Sequence, residues 1–309
     1  FKTPVNKIRL FEHGAPGSQN LKLTRKYYTE DMPDGRVKHI VQNITDPDIV
    51  PYIPDGIGNS TDRQRIPAVL IIPGGAFRRL VYNFEGEDVA KWLNSMGIAA
   101  FVLECRLPSD EHDNAEDVPL IDAMRAMRVI RGRAQEFGID EAKIGVMGFS
   151  AGGFMAALLS TAYESDVYAD YKYKDEYDKL SARPDFAVCS YPVISIDDCI
   201  EAGKRYMSEE QVLERISDSK AKILHKYNPD KLVRPDMPPV FICETDDDRT
   251  TLSENSVGFY MAARKAGVSA ELHIFRTGGH GYGCGDDFAQ TGEWKVLFTK
   301  WIKSIGIIS

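Results

Sequence analysis

A serine stands where its hydroxyl can become a nucleophile. Gly148-Phe149-Ser150-Ala151-Gly152-Gly153 follows directly on the apolar run Ile144–Met147. A G-x-S-x-G between a strand and a helix makes a tight turn that lifts the serine hydroxyl above the sheet, and small neighbours relieve the crowding of that turn. The helix that follows aims its free N–H groups at the same point, where they favour negative charge. A merely structural glycine turn would need neither the strand before it nor the helix after it.

A nucleophilic serine needs a base to take its proton and N–H donors for the oxyanion it creates. The histidines are His13, His39, His112, His225, His273 and His280. Only His280 lies in a glycine-rich loop, Gly278-Gly279-His280-Gly281, after the last expected strand and before a C-terminal helix. His273 falls inside a strand and reads as structural. The base in turn needs a carboxylate to hold its tautomer. The expected strand Pro239–Cys243 runs into Glu244-Thr245-Asp246-Asp247-Asp248-Arg249, and spacing alone does not separate the three aspartates. Loop aspartates commonly cap turns and helices, the ordinary role for at least two of them. The charge cluster also offers Arg249 as a salt-bridge partner instead of a substrate contact. For the oxyanion, Ala151 follows the nucleophile and Pro73-Gly74-Gly75-Ala76-Phe77 ends an earlier strand. Gly75, Ala76 and Ala151 are the expected donors.

These residues need a frame. From Pro67 onward the chain alternates apolar strands with helix-length segments: Ala68–Pro73, a helix over Glu85–Met96, Ile98–Cys105, Lys143–Gly148, a helix from about Ala151, then Phe186–Val193, Pro239–Cys243 and Glu271–Phe275. Ala123, Met127, Ile130, Ala134 and Phe137 recur at helical spacing on a segment that stops near Gly138. Strands separated by helices imply crossover connections, hence an α/β fold with a mostly parallel sheet. No Gly/Ser linker, composition break or repeat follows Pro67, so 1–309 reads as a single domain. Residues 1–66, rich in Pro, Gly, Asn and Asp, read as an N-terminal extension of loops and antiparallel strands such as Lys38–Ile44. Two insertions, 163–183 with five tyrosines and the polar 194–236, read as lids or substrate walls; a solvated amphipathic helix is the equal alternative for the first.

Composition narrows the partners. A net charge of -8 with 43% hydrophobic and 27% charged residues fits a globular chain and argues against nucleic acid or an anionic membrane. No apolar run approaches the roughly 18 residues of a membrane-spanning helix, so no membrane insertion is expected. The chain opens on Phe1, which fits a processed N-terminus and leaves a removed secretion signal, and with it the compartment, open. Cys105, Cys189, Cys199, Cys243 and Cys284 show no CxxC spacing and read as buried small hydrophobes. Asn43-Ile44-Thr45 and Asn59-Ser60-Thr61 fit the glycosylation sequon, a short pattern that arises often by chance.

The combined motifs resemble the acetyl-xylan-esterase-like branch of the α/β-hydrolases, close to the hormone-sensitive-lipase-like carboxylesterases. The matching stretches include Pro73–Phe77, Glu85-Gly86, Asp122–Ala126, Gly145–Gly153, Arg183–Phe186, Tyr191-Pro192, Pro238–Phe241 and Glu254-Asn255-Ser256, and the likeness runs from about Ile8 to the C-terminus. It implies an α/β-hydrolase fold with helices on both faces of the sheet, and a metal-free, cofactor-free esterase that removes acetyl groups from acylated oligosaccharides or small esters. Read back without gaps from Glu254-Asn255-Ser256, the family's catalytic acid falls on Asp248, with Asp247 next in line. Four positions depart from the pattern: Ala76 replaces a third glycine, Phe154 and Glu244 stand where histidine is common, and Cys105 replaces an aromatic. Phe154 and Glu244 bear on the substrate more than on the reaction. The rival readings are a peptidase, for which the chain lacks room for the usual extra domain, a feruloyl or short-chain carboxylesterase, and a non-catalytic binding protein on the same scaffold. Oligomeric state stays open.

Overall fold

A computed structural model describes residues 1, 3–57, 65–205, 207, 208, 210–212, 218–286 and 290–309; the sequon at Asn59 lies outside the described residues. The strands run β1 (Ile8–Arg9), β2 (Lys26–Asp31), β3 (Val37–Gln42), β4 (Asp48–Tyr52), β5 (Ile66–Ile72), β6 (Leu80–Val81), β7 (Ala99–Glu104), β8 (Ile139–Phe149), β9 (Ala187–Ser190), β10 (Val240–Thr245) and β11 (Ala270–Phe275). Among the described residues eight of them form one sheet in the order β1-β4-β7-β5-β8-β9-β10-β11. From β7 to β11 every neighbouring pair is parallel, while β4 runs against β7 and β1 against β4. β2, β3 and β6 form a separate antiparallel sheet.

The central strands are apolar without alternation because both their faces are covered. β7 (AAFVLE) is buried at every position and β5 (IPAVLII) at all but its first. β11, at the edge, mixes polar and apolar residues and stays partly exposed. The chain order reverses once: β5 crosses to β7 on one side, and the chain then returns past β5 to β8 and onward. Right-handed crossovers therefore place α1 (Asp88–Ser95) on the face opposite α2 (Val118–Gly132) and α4 (Ala151–Ala162). α2 packs on α4. On the other face Trp92 of α1 meets Trp294 and Phe298 of the C-terminal helix Glu293–Ser304, with ring centroids 5.0 and 5.4 Å apart. The reversal leaves a crevice beyond the C-terminal ends of β5 and β8, where sites in open α/β sheets form. This is the α/β-hydrolase fold that the resemblance implied.

Three local differences from the sequence reading have physical reasons. The helix expected from Glu85 opens with a π-turn, Asn83–Glu87, that turns Glu85 into the interior before α1 begins. The stripe from Ala123 to Phe137 spans two helices: α2 ends at Gly132, and one further turn, α3 (Ala134–Phe137), closes on Gly138 in the left-handed region (φ 66°). The N-terminal stretch supplies β1 and β4 to the central sheet itself, a partnership that a two-residue strand and a five-residue one containing Pro51 do not announce.

That stretch is tied down by charge. Arg106 and Asp122, both fully buried, form an ion pair (2.7 Å), and Arg106 also donates to Ser18 Oγ (2.8 Å) and to the carbonyl of Pro16. Tyr163–Arg183 contains one 3-10 turn, Glu176–Lys179, in place of the helix weighed for it. Asp175 and Asp178 at that turn bond Arg125 of α2, and Tyr171 donates to the carbonyl of Gly14 (2.9 Å). All five cysteines are buried.

Candidate active site

β8 delivers Ser150 into a backbone conformation few residues adopt, φ 54° and ψ -118°. A non-glycine residue persists there only when its surroundings enforce it. The enforcement is steric. A Cβ on Gly148 would lie 1.9 Å from the Gly152 carbonyl oxygen, and one on Gly152 1.9 Å from that of Ile72. The turn closes against β5 only because both positions lack a side chain.

The Ser150 hydroxyl lies 2.9 Å from His280 Nε2, and His280 Nδ1 lies 2.6 Å from Asp248 Oδ2. Asp248 is buried and accepts further bonds from the N–H groups of Thr250 (2.7 Å) and Thr251 (2.9 Å) and from the Thr251 hydroxyl (2.9 Å). Burial alone would raise its pKa; the His280 bond and charge, with the two N–H donors, outweigh that and hold it below the ordinary carboxylate value. An ionised Asp248 only accepts, so His280 carries its proton on Nδ1 and Nε2 faces the serine hydroxyl as acceptor. Of the three aspartates left open by spacing, Asp248 alone among the described residues reaches His280. Asp247 is exposed and accepts the N–H of Gly279 (2.8 Å), while Asp246 faces Ser253. With Thr245 Oγ1 donating to the Gly279 carbonyl (2.9 Å), Asp247 pins the loop that carries His280. His273 sits in β11 beside Glu271, 2.8 Å away.

Gly75, Ala76 and Phe77 all lie at positive φ (139°, 58° and 61°), which folds the loop after β5 back across the crevice. Among the described residues the N–H groups of Gly75, Ala76 and Ala151 have no hydrogen-bond acceptor. Three uncommitted donors beside a serine hydroxyl are what a developing oxyanion requires. Phe154, fully buried, meets Phe77 edge-on at 5.4 Å and so backs this loop. A small apolar cavity opens beside it, lined by Pro73, Gly75, Phe77, Leu107, Pro119 and Met155.

Two buried carboxyls here were not assigned a role from sequence. Glu244 accepts from the N–H of Thr245 (2.9 Å) and from Ser256 Oγ (3.3 Å). Burial first, and the Asp248 charge second, push its pKa well above the ordinary range, which favours its neutral form beside Asp248. Glu85 accepts the N–H of Gly74 (2.8 Å) and the hydroxyl proton of Tyr191 (2.9 Å), and burial raises its pKa too. Tyr191, at φ 35°, lies edge-on to His280 at 5.1 Å. The motifs Glu85-Gly86 and Tyr191-Pro192 flagged these positions without saying that they meet. Among the described residues no cluster of three or more His, Cys, Asp or Glu is arranged to hold a metal ion.

Comparison with known proteins finds relatives of this chain. Residues 57–262 match the model of the BD-FAE family. An acetylxylan esterase from Xylanibacter ruminicola is 31% identical over 240 residues, 77% of this chain and 45% of that protein. The chain thus spans less than half the length of the curated relatives it matches. A solved acetyl ester-xyloside bifunctional hydrolase from Caldicellulosiruptor lactoaceticus is 35% identical, with a TM-score of 0.74 over 98% of this chain and 97% of that one. A thermophilic esterase from Thermogutta terrifontis, 23% identical with a TM-score of 0.66 over 95% and 96% of the two chains, shares the fold.

Proposed function

We propose, for a chain that belongs to the BD-FAE family, a serine esterase that removes short acyl groups, chiefly acetyl, from plant-type carbohydrates such as acetylated xylan or xylo-oligosaccharides. The observation that carries the reading is the unbroken contact from Ser150 through His280 to Asp248, set beside three uncommitted N–H donors.

His280 Nε2 takes the proton of Ser150 as its oxygen attacks the ester carbonyl. Negative charge gathers on the former carbonyl oxygen, where the N–H groups of Gly75, Ala76 and Ala151 receive it. Asp248 keeps the Nδ1 proton in place and stabilises the imidazolium that forms. His280 then protonates the departing sugar oxygen, leaving the acyl group on Ser150. Water enters, gives a proton to His280 and attacks the acyl carbon; collapse releases the acid and returns the proton to Ser150.

A short acyl group is supported by the small apolar cavity that Phe77, Leu107 and Met155 line beside Gly75 and Ala151. The sugar is supported by the names of the relatives at 31% and 35% identity. The insertion at 194–236 is read as a wall of the approach. It leaves the core at Val193, whose N–H bonds the Ser150 carbonyl (3.3 Å), and Asn255 fixes Ile194 and Ser195 immediately after.

The test is acetate release from acetylated xylo-oligosaccharides, with p-nitrophenyl acetate and methyl ferulate in parallel. Acetate release from the sugar with little turnover of ferulate is the expected outcome. Cleavage of the nitrophenyl ester alone would remove the sugar assignment, and preferred turnover of ferulate would replace acetyl with an aromatic acid.

A further inference from the structure

We propose that Glu85 is a positioning residue that sets the oxyanion loop and the histidine loop against each other; the proposal rests on the esterase reading above. Glu85 is 5% exposed, and among the described residues no cation forms an ion pair with it. A buried carboxyl without a cation is costly unless every lone pair facing the interior is matched by a donor. Here the donors come from the two halves of the catalytic apparatus.

One oxygen, Oε2, accepts the N–H of Gly74, the residue immediately before the donors Gly75 and Ala76. The fit is close: a Cβ on Gly74 would lie 2.7 Å from that oxygen and 2.4 Å from the Phe149 carbonyl oxygen. The peptide of Gly74 is thus wedged between Glu85 and the turn that presents Ser150. The other oxygen, Oε1, accepts the Tyr191 hydroxyl proton, and the Tyr191 oxygen accepts the N–H of Gly283 (3.0 Å), three residues beyond His280. The Tyr191 ring itself lies against His280. Gly283 donates to Tyr191, and Tyr191 and Gly74 donate to Glu85, so each of these three hydrogens is used once. Because one carboxyl holds both loops, a shift of either is transmitted to the other. The π-turn at Asn83–Glu87 is what brings Glu85 inward to do this.

Glutamine at this position keeps an acceptor for Gly74 but presents N–H groups to Tyr191, so it breaks half of the circuit; alanine breaks both halves. The experiment compares E85A, E85Q and Y191F with the wild-type chain by kcat and KM on p-nitrophenyl acetate, each normalised to folded protein by circular dichroism. It adds the affinity for a phenylboronic acid, which forms a tetrahedral adduct on a reactive serine. Misplaced oxyanion donors should lower kcat in E85A by about 10²-fold at a KM changed by no more than about twofold, with E85Q recovering about tenfold of that loss. Boronic acid affinity should fall in step with kcat, a change that reduced stability alone would not produce. If E85A does not fold, E85Q and Y191F carry the same comparison. Variants that melt earlier yet keep wild-type kcat and boronic acid affinity per folded molecule overturn the proposal alone. A wild-type chain that neither cleaves the ester nor binds the boronic acid overturns the esterase reading and the proposal with it.

Discussion

Asp246, Asp247 and Asp248 are consecutive, yet the structure gives each a different neighbour: Ser253, Gly279 and His280. On the mechanism above, D248N should lower kcat by about 10⁴-fold through loss of the correct histidine tautomer. D247N, which only loosens the loop around Gly279, should cost about tenfold or less on the same assay, since it removes one exposed contact and leaves the proton relay intact. Equal losses would show that the acid had been assigned to the wrong residue. Glu244 gives a pH signature. Its raised pKa means that the folded chain keeps a proton which the unfolded chain has already released above the ordinary value of about 4.3, so stability falls as pH rises through that window. E244Q cannot release that proton. Its melting temperature relative to wild type should climb between about pH 4 and the raised folded-state value; a constant offset across that range would contradict the neutral buried acid. Ser150 and His280 were legible because each sits in a glycine-rich turn at a strand end, a local signal. Which aspartate turns inward depends on the turn geometry after β10, and the resemblance, not the spacing, pointed to Asp248. The meeting of Glu85 and Tyr191, 106 residues apart, has no local signal at all.

The strand–turn–helix around Ser150 is built from elements that read well. β5, β7, α4 and the Ile144–Phe149 half of β8 are apolar runs, while the polar start of β8, Ile139–Lys143, extends it beyond the expected strand; their parallel order follows from the helices between them. What the pattern hid was the π-turn before α1, which differs from an α-helix by one residue per turn, and the membership of β4 in the central sheet. A strand of five residues containing Pro51 carries too little alternation to reveal its partner. The support of the oxyanion loop makes a prediction at this scale. Phe154 of α4 is fully buried behind Phe77, so F154A should cost about 3–5 kcal/mol in chemical denaturation by leaving a cavity. The same change should lower kcat on p-nitrophenyl acetate, because Phe77 at φ 61° loses its backing. Unchanged kcat in the folded fraction would show that the loop does not lean on α4.

Across the molecule, the N-terminal stretch is held by charges that the sequence did not pair. Arg106 reaches Asp122, Ser18 and Pro16 at once, and the side chains of its ion pair with Asp122 have no solvent access. Removing the carboxyl in D122A strands the guanidinium in the interior and should destabilise the fold by about 3–5 kcal/mol, read as a shift in the denaturation midpoint. Little or no shift would mean that water reaches Arg106. The tyrosine-rich stretch ties the same N-terminal segment to α2 through Arg125 and Tyr171. All of this serves one claim, that Ser150 is the nucleophile of an ester hydrolase. The most direct measurement compares wild type with S150A on p-nitrophenyl acetate and maps the site of labelling by a fluorophosphonate with peptide mass spectrometry. One label per wild-type chain is expected, on the peptide containing Ser150, with a loss of at least about 10⁴-fold in kcat for a correctly folded S150A that takes up no label. A folded S150A that still turns over the ester, or a label on another residue, would contradict the claim.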